Sequence, residues 1–170
     1  MKLNPLDEIF MQVGPWKCDT CGKTIKSVED GWVEWLSVTD FEKNTSKEYG
    51  LRLVHHKPAS PRKSEHGCQY DEQKEYEADG AVVQDLPLEE YVGGFGLMNL
   101  LELIDEKELP SEEVVEMIKR LHIPLYEQAR SHFESAISEG VIEPNSRPGF
   151  YTQQQMEMVV EWANQQKENY

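Results

Sequence analysis

The sequence predicts an α+β fold, in which a small antiparallel β module packs with a C-terminal bundle of three or four helices. Two observations support this prediction. Residues 1–70 contain short runs of β-branched and aromatic residues between turn signals, whereas from about Phe95 apolar residues recur every three or four positions. Residues 71–94 are charged and weakly patterned, so we interpret them as a connector between the β module (1–70) and an acidic helical domain (95–170).

Two segments of the β module have the composition of paired strands. GWVEWLSV (31–38) follows an Asp-Gly turn dipeptide, and LRLVHH (51–56) follows Gly50. We expect these segments to pair in antiparallel fashion, and we expect the long polar stretch between them to be an exposed loop. KTIKSV (23–28) is a candidate third strand.

The helical domain begins with FGLMNLLELIDE (95–106), whose apolar spacing predicts a helix with one core-facing stripe. A second helix is predicted with Ser111 as its N-cap and two glutamates in its first turn, where the helix dipole favours acidic side chains. The stripe of the first helix consists of Leu97, Leu100, Leu101 and Ile104.

The later part of the helical domain contains three signals for helix ends. Pro124 removes a backbone donor inside the second helical pattern, so a kink or break is expected near residues 122–123. Gly140 is the predicted stop of that pattern. Thr152 and Gln155 have the spacing of a capping box, which predicts the start of a last helix.

The net charge of the 170-residue chain is −15, and it is unevenly distributed. Residues 1–70 hold ten basic and ten acidic side chains, so residues 71–170 carry the whole excess (7 − 22 = −15). Such a surface repels phosphate backbones, which argues against nucleic-acid binding by the acidic half. We expect no export signal at the start of the chain, because Asp7 and Glu8 stand where one would be apolar, and no apolar run in the sequence is long enough to span a membrane. We therefore expect a cytoplasmic protein with no membrane association.

Cysteine and histidine are concentrated in the first part of the chain. The stretch GPWKCDTCGKTI places Cys18 and Cys21 three residues apart, and VHHKPASPRKSEHGC adds Cys68 and three of the five histidines. Two thiolates at CxxC spacing supply half of a tetrahedral Zn²⁺ site, and thiolate and imidazole are the usual zinc ligands. Free buried thiols and a redox CxxC are the alternatives.

Zn²⁺ is therefore the expected cofactor, with Cys68 as the third ligand. Neighbouring residues on a strand point to opposite faces, so only one of His55 and His56 can reach the metal. His55 is preferred because it shares a strand face with the apolar residues Leu51 and Leu53. The predicted ligand set is Cys18, Cys21, His55 and Cys68, with His56 and His66 as alternatives for the histidine position.

The turn CDTCGKTI resembles the knuckle of zinc-ribbon-like modules, and the resemblance covers only residues 16–70. It implies a cysteine pair in a rubredoxin-type turn between strands. Other ribbons bring a second CxxC or CxxH, which this chain lacks. A closed Cys3His site leaves no coordination position for water, so the metal is predicted to be structural. The function we expect is that of a zinc-stabilised adaptor or regulatory module that binds a protein partner, in preference to that of an enzyme.

The competing class is an enzyme that uses the histidine cluster. LRLVHHKP is similar to the opening of HNH-type nucleases, in which one histidine activates water. The downstream Asn and helical His or Asn of that family have no counterpart at the required spacing. A zinc-dependent hydrolase would use His55, His56 and His66 as ligands and Glu65 as base, although no HExxH-like spacing supports it.

Overall fold

The computed structural model describes residues 13–106 and 109–168. These residues form two compact units: Pro15–His122 is one, and 123–168 together with 13–14 is the other. The division after His122 differs from the boundaries predicted at 70 and 94. The reason is that side chains from residues 88–121 belong to the same hydrophobic core as those of the β module.

A small hairpin opens the first unit. Strands β1 (Trp16–Lys17) and β2 (Thr24–Ile25) pair in antiparallel fashion, with Trp16 opposite Ile25. The candidate third strand therefore contributes only two residues, and they belong to this separate two-stranded sheet. Strands this short are not stable without support from other elements.

The main sheet has three antiparallel strands in the order β4-β3-β5, namely β3 (Gly31–Asp40), β4 (Thr45–His55) and β5 (Val82–Pro87). The predicted pairing of the first two segments is confirmed, with Gly31 opposite His55. The expected long loop between them is wrong, because both strands continue to a tight turn at residues 41–44. Asp40 Oδ1 accepts the backbone N–H groups of Glu42 and Lys43 there, at 3.1 Å each.

The predicted connector is folded. It contains helix α1 (Glu72–Asp79), which is capped by the Asp71 side chain and ended by Gly80, followed by β5. The sequence did not predict β5 because it is an edge strand whose residues are mostly exposed, so it lacks a clear apolar alternation.

Helices α2 (Gly93–Glu106) and α3 (Ser111–His122) also belong to the first unit. Their apolar residues join the core of the β module and do not form a separate helical bundle. Leu101 departs from the predicted stripe because it is exposed, whereas Gly96 and Leu100 are buried. The buried core consists of Trp16, Cys18, Ile25, Val33, Trp35, Leu53, Val54, Cys68, Leu88, Tyr91, Leu100, Leu109, Val114, Met117 and Leu121.

The second unit contains helices α4 (Tyr126–Ala129), α5 (Phe133–Ser138) and α6 (Gln153–Glu168). The break expected near residues 122–123 is confirmed: α3 ends at His122, and Leu125 has a φ of 64°. The capping box is confirmed too, because the Thr152 and Gln155 side chains each accept the other's backbone N–H.

The core of the second unit is its own, and it consists of Tyr126, Ala129, Phe133, Ala136, Ile142, Met156 and Val159. Across residues 13–106 and 109–168, no helix has the length and apolar character that crossing a membrane requires.

Candidate metal centre

The structure brings together Cys18, Cys21, His55 and Cys68. One ligand atom from each of these side chains lies within 4.8 Å of the others. The His55 Nδ1 atom is 3.5 Å from Cys21 Sγ and 3.8 Å from Cys68 Sγ. This Cys3His group could hold a metal ion, and within the described residues it is the one such cluster of His, Cys, Asp or Glu side chains.

The two cysteines of the CxxC motif lie in the turn of the β1–β2 hairpin. The Cys18 N–H donates to Lys23 O at 2.9 Å, and the Gly22 N–H donates to Cys18 O at 2.8 Å. Gly22 has a φ of 70°, a backbone conformation that glycine adopts without steric cost. The turn thus curls tightly enough for both sulfurs to face the same point.

Asp19, between the two cysteines, fastens this turn to the rest of the unit. Its backbone N–H donates to Leu53 O, and its carboxylate accepts the Leu53 N–H, both at 2.8 Å. The same carboxylate accepts a hydrogen bond from Arg120 Nη1 at 2.7 Å, while Arg120 Nη2 donates to Lys17 O at 2.8 Å. Strand β4 and helix α3 therefore both hold the cysteine turn in place.

His55 is the last residue of β4, and its side chain is buried. Its Nε2 atom is 3.1 Å from Thr24 O. A carbonyl oxygen only accepts hydrogen bonds, so Nε2 carries the proton in this arrangement and Nδ1 presents its lone pair to the sulfurs. A hydrogen bond of this kind commonly fixes the tautomer and orientation of a histidine that binds a metal.

Cys68 lies in the loop that joins β4 to α1. The Ser60 hydroxyl donates to Cys68 Sγ at 3.1 Å, and the Thr20 hydroxyl donates to Cys68 O at 2.6 Å. The preceding residue, Gly67, has a φ of 62°, and a Cβ atom there would lie 2.8 Å from the Ser60 Cβ atom. The loop thus reaches this position through a close approach that only glycine permits.

A buried ion pair holds the same loop two residues further on. The Tyr70 N–H donates to both carboxylate oxygens of Glu34, at 3.0 and 3.2 Å. Arg52 donates to Glu34 Oε1 through Nε at 2.8 Å and through Nη2 at 2.7 Å, and its guanidinium lies 3.3 Å from the centre of the Tyr70 ring. Burial raises the pKa of Glu34, and the charge of Arg52 opposes that rise.

The pKa values of Cys68 and Cys21 are shifted in opposite directions. The pKa of Cys68 is raised to about 11, chiefly by burial and also by the neighbouring Cys18 and Cys21 thiols, whereas the Ser60 hydroxyl opposes this rise. Burial also acts to raise the pKa of Cys21, but hydrogen bonds from the Lys23 backbone and from the other two thiols outweigh it, so this pKa is lowered. A metal ion would bind these sulfurs as thiolates and displace their protons.

The alternative histidines lie outside the cluster. The His56 ring stacks on Trp32, with the centroids 4.5 Å apart, and His66 Nε2 is 3.0 Å from Asp71 Oδ2. Neither belongs to the group of residues that could hold a metal. The supporting residues Asp19, Arg120 and Glu34 were not identified from the sequence; only Asp19, by its place inside the CxxC motif, carries a local signal.

Comparisons of the chain with protein-family models, with curated proteins and with solved structures find no match. Function is therefore inferred from the cluster and from the surfaces of the units.

Proposed function

We propose that the Cys3His cluster binds one Zn²⁺ as a closed structural site, and that the protein is an adaptor or regulatory module that binds another protein. The observation that carries the proposal is the convergence of four donor atoms within 4.8 Å from three separate segments of the chain. Those segments are the hairpin turn, the end of β4 and the following loop.

The donor set favours Zn²⁺ over other common ions. Three thiolates and one imidazole suit zinc in tetrahedral geometry, whereas Mg²⁺ and Ca²⁺ require oxygen ligands. Four protein ligands complete the tetrahedron, so no position remains for a catalytic water. This is the coordination typical of a structural zinc site.

The elements around the cluster are short and would be stabilised by a metal that joins them. The hairpin strands have two residues each, and the loop from residue 56 to residue 71 contains no long element. Structural Zn²⁺ contributes on the order of 10 kcal/mol in small zinc domains. The metal would make this end of the unit rigid, and a rigid unit can present a binding surface without loss of conformational entropy on association.

The first experiment measures the metal content of the purified full chain by elemental analysis and records the absorption spectrum after substitution with Co²⁺, in which thiolate ligands give intense charge-transfer bands. His55→Ala and Cys68→Ser are compared with the matched controls His56→Ala and His66→Ala. The proposal expects about one metal per chain. It also expects that metal to be lost in the first two variants and kept in the two controls.

Two results would contradict the proposal. One is a folded wild-type protein that binds neither Zn²⁺ nor Co²⁺. The other is a metal that survives His55→Ala but is lost in His56→Ala or His66→Ala, which would favour the histidine-based alternative, an HNH-like nuclease or zinc-dependent hydrolase.

A further inference from the structure

Helix α2 carries apolar side chains on the face that points away from the core. Phe95 is 70%, Met98 63% and Leu101 45% exposed. On its other side the helix packs through Gly96 and Leu100, which are buried. A helix that is apolar on both sides is typical of one that is covered on both sides.

The outer face of the helix becomes acidic toward its C-terminal end. Glu102 and Asp105 lie four and seven residues after Met98, so their side chains continue the line of that residue along the helix, and both are exposed. Helix α2 contains no lysine and no arginine. The face therefore combines large apolar side chains with acidic ones.

We propose that this outer face of α2 binds a basic amphipathic segment of a partner protein. Apolar side chains of the segment would cover Phe95 and Met98, and its Lys or Arg residues would pair with Glu102 and Asp105. This inference rests on the proposed binding function and specifies the chemistry of the partner. Charge complementarity across an interface favours association and suppresses wrong partners.

Charge also argues against two other occupants of the face. A second copy of the chain would bring another net charge of −15 toward the first. Residues 1–12 contain one lysine against Asp7 and Glu8, so they do not supply the positive charge that the acidic end would attract. A basic segment of another protein satisfies both the apolar and the acidic part of the face.

The test uses the zinc-loaded full chain and a fluorescein-labelled synthetic peptide of Leu and Lys, arranged so that the leucines form one helical face. A peptide of the same composition with the leucines dispersed around the helix is the control probe. Fluorescence anisotropy is expected to show about tenfold tighter binding of the amphipathic peptide. The double variant Phe95→Ser/Met98→Ser should lose about tenfold in affinity, because exposed apolar anchors dominate such interfaces.

Matched variants separate this face from the general acidity of the protein. Glu102→Gln/Asp105→Asn should weaken peptide binding and reduce its salt dependence. Met158→Ser, which changes a residue of α6 that is 42% exposed, should leave the affinity unchanged.

Several results would overturn the inference. Equal binding of the two peptides would mean that only overall charge attracts them, and an affinity unaffected by Phe95→Ser/Met98→Ser would place binding elsewhere. Dimers that this double variant abolishes in sedimentation would make a second copy the occupant. Tighter peptide binding after deletion of residues 2–12 would make that segment the occupant. Metal content, measured on the same samples, reports separately on the zinc site, because Phe95→Ser/Met98→Ser leaves every proposed ligand intact.

Discussion

At the residue scale, Glu34 and Arg52 form an ion pair in which the carboxylate is fully buried. Burial of a charge is costly unless its partners remain, and within the described residues Glu34 accepts hydrogen bonds from Arg52 and from the Tyr70 backbone. The pair matters to the candidate centre because Tyr70 follows Cys68 by two residues. Removing one partner of the pair should therefore lower the free energy of unfolding more than removing both.

Arg52→Met is expected to lower the free energy of unfolding by about 3 kcal/mol, because it leaves the Glu34 charge buried without its cation. Adding Glu34→Gln should recover part of this loss, since a neutral amide costs less to bury. Urea unfolding of the zinc-loaded chain, followed by tryptophan fluorescence, measures both. Lys43→Met, which breaks an exposed pair with Asp40, is the control and should have no measurable effect. An Arg52→Met variant that unfolds with the same free energy as the wild type would contradict the prediction.

His122 provides a pH-dependent contribution to stability. Burial lowers the pKa of His122 below 6.5. The hydrogen bond from Nε2 to Tyr91 O, at 2.9 Å, opposes this shift but is the weaker effect. The unfolded chain then binds this proton at higher pH than the folded chain, so stability is lost as the pH falls through 6.5 toward the lowered pKa.

The comparison with His122→Gln isolates this effect, because glutamine keeps a donor but does not titrate. The stability of the wild type relative to this variant should rise as the pH rises from the lowered pKa to 6.5, and it should level off above 6.5. Unfolding both proteins at the same Zn²⁺ concentration measures the difference between their free energies of unfolding. The contribution of the metal cancels in this difference. A difference that does not change with pH would rule out the effect.

At the scale of elements, the loop that carries Cys68 depends on the conformation of one glycine. Gly67 and Gly80 both have positive φ, at 62° and 75°, but only Gly67 has a neighbour within reach of an added Cβ atom, namely Ser60. Alanine substitutions at the two positions therefore distinguish the free-energy cost of a left-handed backbone from the cost of displacing the loop.

Gly67→Ala is expected to weaken Zn²⁺ binding by about tenfold, because the loop must move and take Cys68 with it. Gly80→Ala should cost about 1 kcal/mol of stability for its left-handed backbone and leave Zn²⁺ affinity unchanged. Competition with a chromogenic chelator measures the affinities. Equal Zn²⁺ affinities in the two variants would show that the loop accommodates the methyl group.

For the whole molecule, the two units contain separate hydrophobic cores, and the Cys3His cluster belongs to the first. Removal of the metal should therefore act on one unit selectively. Cys18 and Cys68 are part of the first core. Without the metal, these thiols would no longer be joined through a tetrahedrally coordinated ion.

Treatment of the zinc-loaded protein with a chelator is expected to increase amide hydrogen exchange in the β1–β2 hairpin, at the end of β4 and in the loop up to Asp71. Amides of α6 should keep their protection, because that helix packs within the second core. Hydrogen exchange with mass spectrometry reads both regions in one sample. A uniform loss of protection across the chain, or no change in the hairpin, would contradict the prediction.

Sequence patterns alone were enough to predict the α+β class, the pairing of β3 with β4, the break near Pro124 and the capping box at Thr152. Each of these depends on local signals, such as apolar period, turn residues and the missing donor of proline. Strand alternation, a signal of the same kind, favoured His55 over His56 as the histidine ligand. The structure places His55 with the three cysteines, and metal binding by this set stays a prediction.

Features that depend on residues far apart in the chain could be recognised only in the folded protein. The edge strand β5, the packing of α2 and α3 on the β module and the support of Asp19 by Arg120 all have this origin. Their sequences carry little signal, because an edge strand is half exposed and one arginine on a helix does not indicate which carboxylate it will meet. Local periodicity fixes the elements, whereas the burial of a shared core decides which of them meet.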